Sequence, residues 1–520
     1  MATTTILDEL PDEFRDRVTL SEGRLFIAKS LQGEPFMLSF LSLAERRGIN
    51  ENDIIWEEDR ALSRRMKNSV ELSSDSAMLG YAKQLLRDAY ALRASDIHLV
   101  DTGPQLIIQL RRMNLIRDHA TLPGDTGRAL LRVLFNTMGQ DGRGEFTPHS
   151  RMDARIVNRK YLPPDVYSVR IHTEPIAAVD ADNGMGTYMA LRLLYDSIIV
   201  EGTLTERLKM LGYPAREAAK IRFLTQRTGM FLIAGAMGSG KSTVLKHIME
   251  GQAQEYPEKN YLTHEDPPEY PMRNVKQVII GSDRSDANKG LLRTDLNVLM
   301  QGEIRDAETA QAALDETLAG HSVLGTIHAL DAFEIVTRLR NMLMSAEGNI
   351  GDPLDTLCNY KVLTGLIYQR LLPTLCEHCK VSLTEYLSRP DKAERAHILP
   401  ADVEKRLISV VRDLSHVHVR GPGCEHCRNL GFSGRTLAVE VVVTDERLLS
   451  LIKDGRQEEA RKYWKESLGG RSYVDHAIDG ISAGILDPAM TERELGAPLN
   501  IDKAIESLNE LGDCYERAGV

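Results

Sequence analysis

Gly235-Ala236-Met237-Gly238-Ser239-Gly240-Lys241-Ser242 is a complete phosphate-binding loop of the form GxxxxGK[ST]. It follows the apolar run Phe231-Leu232-Ile233-Ala234, which reads as a buried strand, and opens a helix that Val244, Leu245 and Ile248 continue. The glycines let successive backbone N–H groups turn onto phosphate oxygens, because a Cβ at those positions would block both the turn and the approach. Lys241 offers a point charge to the β and γ phosphates. Ser242, with Thr243 beside it at the helix N-terminus, offers a hydroxyl to Mg²⁺. Residues 235–243 thus predict binding of a nucleoside triphosphate, against the bland alternative of a chance Gly-rich turn.

Outward from this loop, strands alternate with helices, as a mostly parallel sheet requires. Tyr261-Leu262-Thr263 and Val298-Leu299-Met300 read as two such strands. The carboxyl ends of parallel strands open onto one crevice, so Glu265, Asp266 and Glu269 after the first, and Glu303 and Asp306 after the second, can face Lys241. A third strand, Ser322 to Ile327, ends at His328, whose ring suits sensing of a γ phosphate or orienting of a carboxylate, although a lone histidine is more often structural. Between these strands Ala310, Ala313, Leu314, Thr317 and Leu318 form one apolar helical stripe, with Asp306 near its start and Gly320 placed to stop it.

The remaining sequence bounds the class. At 520 residues the chain exceeds one core and predicts about three or four folded units. With 42% apolar and 27% charged residues it has an ordinary globular composition, and no run approaches the roughly 18 apolar residues of a membrane helix. The opening residues lack the basic region and apolar core of a secretory signal, so a cytoplasmic location is expected, with membrane contact only through partners. A net charge of −11 opposes a sequence-independent grip on nucleic acid. Residues 1–90 read as a helical adaptor, 91–200 as a smaller α/β domain beginning near Ala94 to Val100 and containing the strand Leu106 to Arg111. Residues 201–445 read as the nucleotide domain, with a helix at Ile221, Phe223 and Leu224 before the phosphate loop and a strand at Thr436 to Val442. Residues 446–520 read as a C-terminal helical region.

Two CxxC pairs, Cys376-Glu377-His378-Cys379 and Cys424-Glu425-His426-Cys427, supply the ligand set of tetrahedral Zn²⁺. Four thiolates leave no position for substrate, so the metal would be structural, pinning residues 380–423 to the core. Either His378 or His426 could replace a thiolate. A redox pair is disfavoured, since neither CxxC lies in a thioredoxin-like βαβ setting, and four unbound thiols remain as an alternative. Cys358 and Cys514 have no sequence partner and are expected to be packed.

Taken in order, Gly235 to Ser242, His264-Glu265-Asp266-Pro267-Pro268-Glu269-Tyr270, Gly302-Glu303-Ile304-Arg305-Asp306 and Ala319-Gly320-His321 to His328-Ala329 resemble the four nucleotide-site motifs of the secretion-type ATPases of type II secretion and type IV pilus assembly. These are a Walker A loop, an aspartate box, a Walker B segment and a histidine box. Upstream, Ala94-Ser95-Asp96-Ile97-His98 resembles the opening of that family's PAS-like N-terminal domain, and Tyr167 to His172 with Leu191 to Leu194 its closing strands. The resemblance covers about residues 80–445. It implies a P-loop, RecA-like α/β ATPase in a homohexameric ring, with ATP held between two domains and Arg170 and Arg192 contacting phosphate. Glu303 would act on the Mg²⁺ side through water, and Glu265 or Glu269 would orient or deprotonate the attacking water. The four-cysteine element followed by Gly431 to Thr436 is similar to that of assembly rather than retraction members. Two departures are the Asp295-Leu296-Asn297 stretch, where relatives usually carry Asp-Pro-Asp, and a longer turn between Arg170 and Arg192. The resemblance implies a motor that assembles a type IV pilus, of the type IVb or conjugative thin-pilus kind, on a polytopic inner-membrane platform protein. Alternatives are a type II secretion motor, a nucleic-acid translocase, which the acidic balance opposes, and a scaffold that binds ATP without turnover.

Overall fold

Period-two alternation of apolar residues decides how the strand Gly229–Ala234 packs: Met230, Leu232 and Ala234 enter one core, while Phe231 and Ile233 enter another on the opposite face. The computed structural model describes most of residues 10–508. Outside it lie residues 60–74, 196–201, 281–289, 291–293, 346–350, 389–397 and 507, together with scattered positions before residue 53 and residues 141, 143, 182 and 183. Cys514 also falls outside the described residues. The chain divides into two compact units, Met1–Asp196 and Ser197–Val520.

In the first unit the opening residues differ from the helical expectation. Strands β1 (Val18–Ser21), β2 (Arg24–Ala28) and β3 (Ile54–Glu57) form a small sheet with the helix Pro35–Arg46, around Leu25, Ile27, Leu31 and Phe40. Four- and five-residue apolar runs are too short for periodicity to separate strand from helix, so the more visible amphipathic helix dominated the reading. The helix Asp75–Ala91 buries Met78, Ala82, Leu85, Leu86 and Ala89 in the core of the six-stranded sheet that follows. That sheet comprises β4 (Asp96–Asp101), β5 (Gln105–Arg112), β6 (Leu115–Pro123), β7 (Met152–Ile156), β8 (Val166–Ala177) and β9 (Met185–Tyr195), in the order β6-β5-β4-β9-β8-β7 with antiparallel pairings throughout.

The second unit is built on seven strands: β10 (Gly229–Ala234), β11 (Tyr261–Glu265), β12 (Lys276–Ile279), β13 (Val298–Ile304), β14 (Ser322–Ile327), β15 (Leu363–Leu375) and β18 (Phe432–Val443). Their order is β12-β11-β13-β14-β10-β15-β18, and only β18 runs antiparallel to its neighbour. Helices Leu204–Met210, Ala215–Thr225 and Lys241–Glu255 contribute to the core on one face. Helices Ala307–Leu318 and Glu334–Met344 contribute to the other, giving a three-layer α/β sandwich. Helices Glu446–Lys453 and Gln457–Glu466 add Leu448, Leu449, Ile452, Ala460 and Trp464 to that second core, so these C-terminal helices complete the nucleotide unit. Between β15 and β18 lies an insertion with β16 (Val381–Ser382) and β17 (His418–Val419), whose Val381, Tyr386, Val403 and Leu407 pack in a core shared with Leu372 of β15, Ala438 of β18 and Ala477 and Ile481 of the helix Tyr473–Ser482.

Candidate functional site

The phosphate loop springs from the carboxyl end of β10, near the middle of the parallel sheet. Gly238 and Gly240 have φ of +76° and +84°, values that favour glycine. A Cβ on Gly235 would lie 2.4 Å from the Gln369 carbonyl oxygen and 2.5 Å from the Ser239 hydroxyl, so no larger residue fits. Lys241 opens the helix Lys241–Glu255, and its Nζ donates to the carbonyls of Gly235 and Ala236 at 2.7 and 3.1 Å. Burial lowers the affinity of this amine for its proton to about 8, while the carboxylates of Glu303 and Glu269 pull in the opposite sense. The loop is held from beneath by a residue the motif reading missed. Gln369 on β15 donates from Nε2 to the Ser239 carbonyl at 2.6 Å and accepts at Oε1 from the Tyr213 hydroxyl. No spacing in the sequence marks this pair, because the ladder that brings β15 beside β10 spans more than a hundred residues.

Ser242, Glu265, Asp266, Glu269, Glu303 and Arg305 line one cleft. Topology explains the convergence: β11, β13 and β14 run parallel and adjacent, so the segments after them emerge on the same edge. Glu265 is the last residue of β11 and is buried, with Oε1 accepting from Thr263 Oγ1 at 2.7 Å and Gln277 Nε2 at 3.0 Å. Gly302 on β13 leaves room for it, since a Cβ there would sit 3.1 Å from Glu265 Cγ. Glu303 Oε1 lies 3.1 Å from His328 Nε2, so the histidine has a carboxylate partner inside the site. Asp306 has different work. Its carboxylate accepts from the Thr309 N–H at 2.9 Å and hydroxyl at 2.7 Å, capping the helix Ala307–Leu318. The stripe read on that helix holds for Ala310, Ala313, Leu314 and Thr317. Leu318, at 57% exposure, lies outside it.

Arg170 and Arg192 belong to the first unit, where they stand directly opposite each other on β8 and β9. The longer turn between those strands leaves this register intact. The same row continues outward through Arg155 on β7 and, beyond Arg192, through Asp96 on β4 to Arg111 on β5. Residues directly opposite in a sheet share a face, so four guanidiniums and one carboxylate stand abreast. Buried Asp96 accepts from Arg192 Nε at 2.9 Å and lies 3.8 Å from Arg111. Arg111 and Arg155 were not singled out in the sequence, because only sheet register reveals the row.

The four cysteines of the CxxC pairs converge between the end of β15 and the start of β18. Sγ separations of 3.8 Å link Cys376 to Cys424, Cys379 to Cys427 and Cys424 to Cys427. A tetrahedron of sulfurs about 2.3 Å from zinc has edges of about 3.8 Å, so the donor set fits structural Zn²⁺. Although burial opposes it, N–H donors from Cys424 and Gly431, each 3.2 Å from the sulfur, hold the Cys427 thiol down to about 6. His378 and His426 lie against each other with ring centroids 4.1 Å apart and ring planes tilted by 43°, while the four-residue ligand set consists of thiols. Cys358 is half-buried, and burial pushes its thiol up to about 11.

A parallel sheet with a phosphate loop at its centre and acidic strand ends gathered beside that loop defines a P-loop nucleoside triphosphatase. The chain belongs to the Type II/IV secretion system protein family, which it matches over residues 71–496, and it is an ATPase that uses ATP and Mg²⁺. It is 30% identical over 454 residues to the type II secretion system ATPase E of Vibrio cholerae, covering 86% of this chain and 78% of that one. It is 29% identical over 392 residues to the type IV pilus assembly ATPase PilB of Thermus thermophilus, covering 74% of this chain but 39% of the relative's length. The structure of the ATPase DotB of Legionella pneumophila shares the fold, with a TM-score of 0.52 at 20% identity, covering 79% of this chain and 94% of that one. Among the described residues no helix is long and apolar enough to cross a membrane.

Proposed function

We propose that the chain forms a hexameric ring whose ATP hydrolysis powers assembly of a type IV pilus at the cytoplasmic face of the inner membrane, acting on a polytopic platform protein. The observation that carries the catalytic part is the single cleft shared by Ser242, Glu265, Glu269 and Glu303, with Lys241 within the field of two of those carboxylates. Lys241 and the amides of residues 235–243 hold the phosphates. Ser242, and Glu303 through water, would hold Mg²⁺, which when bound would offset charge on the phosphate oxygens. Glu265, fixed by Thr263 and Gln277, orients the attacking water, and Glu269 supports the charge of Lys241. His328 keeps the Glu303 carboxylate turned to its task. Arg170 and Arg192 stand in a row of permanent cations, a charge that suits them to phosphate oxygens.

Similarity to a pilus assembly ATPase supports the pilus reading, and the four-cysteine set supports an assembly rather than a retraction motor. A type II secretion motor is the second reading, favoured by relatives of that name. The test is ATPase activity with and without the cytoplasmic segment of a candidate platform protein, together with piliation of cells carrying Lys241→Ala or Glu303→Ala. Stimulation by the platform segment and loss of pili support the proposal. Full ATPase activity and normal piliation in both variants would overturn it, and a several-fold stimulation by DNA instead would point to a translocase.

A further inference from the structure

The hairpin of β15 and β18 carries two fully buried polar side chains that motif spacing leaves unexplained, Gln369 and Glu440. Tyr368 pairs with Glu440 and Gln369 with Val439, so the two polar residues sit on adjacent rungs of one ladder and point to opposite faces. On one face Gln369 donates to the Ser239 carbonyl of the phosphate loop and is itself braced by Tyr213. On the other, Glu440 accepts from the backbone N–H of Ala332 at 3.2 Å. Ala332 closes the loop that leaves β14 at His328. Within that loop Asp331 caps the next helix through the N–H groups of Phe333 and Glu334 and binds Arg461 at 2.7 Å.

The groups facing Glu440 are Asp331 from the loop, Arg461 and Tyr473 from the C-terminal helices, and Tyr368 with its partner Arg370 from β15. Burial, reinforced by Asp331 and opposed by the Ala332 N–H and Arg461, pushes the Glu440 carboxyl up to about 7. Its proton is therefore exchanged within the physiological range. The ionised form accepts the Ala332 N–H bond strongly, and the protonated form holds it less well.

We propose that Gln369 and Glu440 are positioning residues of the ATPase site: Gln369 fixes the phosphate loop, and Glu440 fixes the loop that presents His328 to Glu303. The proposal rests on the nucleotide-site reading above. Since both grips come from neighbouring rungs of one rigid ladder, the two loops keep a constant separation while nucleotide is exchanged.

ADP affinity and steady-state ATPase kinetics between pH 6 and 9, measured on the full chain, test it. Gln369→Leu and Tyr213→Phe are expected to weaken ADP binding and raise KM by about tenfold with kcat within about twofold. Glu440→Gln is expected to leave ADP affinity and KM in place, lower kcat, and flatten the rise of kcat with pH near 7. Val439→Ala, a core truncation opposite Gln369, should lower the melting temperature with KM, kcat and pH profile unchanged. Unchanged ADP affinity in both Gln369→Leu and Tyr213→Phe overturns the role of Gln369, and a wild-type pH profile in Glu440→Gln overturns that of Glu440. KM and kcat shifting together in proportion to lost stability overturns both. Failure of the unaltered chain to bind ADP would instead reject the nucleotide reading itself.

Discussion

Lys241 concentrates the chemistry of the phosphate site into one titratable group. It is held in its loop by two carbonyls, and burial has lowered its proton affinity to about 8. The ammonium form that attracts phosphate dominates below that value and is lost above it. Nucleotide affinity of the free chain should therefore fall as pH rises from 7 to 9, which titration calorimetry with ADP at fixed ionic strength would measure. Lys241→Ala should reduce kcat/KM by more than about a hundredfold, and Glu303→Gln should lower kcat by a similar factor with a smaller change in KM. That Ser242, Glu265, Glu269 and Glu303 line one cleft beside the Lys241 loop was legible in sequence, because the loop motif is local and parallel strand ends share an edge. Gln369 and Tyr213 were not, since a buried amide and a buried phenol carry no local signature and meet only through tertiary pairing.

Among the elements, the helix Ala307–Leu318 tests how far a sequence pattern reaches. Its cap and its buried stripe follow from local rules, whereas the exposure of Leu318 depends on where the helix ends against the sheet. Leu314→Ala should cost about 2–5 kcal/mol of stability and Leu318→Ala less than about 0.5, by denaturant unfolding. Asp306→Ala should cost about 1 kcal/mol through the lost cap. The strands before residue 58 escaped the reading for the opposite reason. Leu25, Phe26 and Ile27 are consecutive and buried, so they offer no alternation to detect, and the paired strands β2 and β3 are separated by a helix.

At the scale of the whole molecule, the seven-stranded sheet follows from the alternation of apolar runs and helices, and the insertion between β15 and β18 follows from the cysteine spacing. Zinc analysis of the purified chain should find about one metal per chain, and Cys424→Ser or Cys427→Ser should abolish it. Metal removal should loosen the segments around Cys376–Cys379 and Cys424–Cys427, read by hydrogen exchange, with the parallel strands still protected, because those strands pack in separate cores. The arginine row was only half legible: the resemblance pointed to Arg170 and Arg192, and the sheet register added Arg155 and Arg111.

That row bears on how the protein behaves in the tube. Four permanent cations lined up across neighbouring strands repel one another, with Asp96 the one acid among them. A multivalent anion relieves that repulsion where chloride only screens it. Sulfate or inorganic phosphate should consequently raise the melting temperature of the unmodified chain above its value in sodium chloride of equal ionic strength, and the difference should shrink in Arg155→Ala.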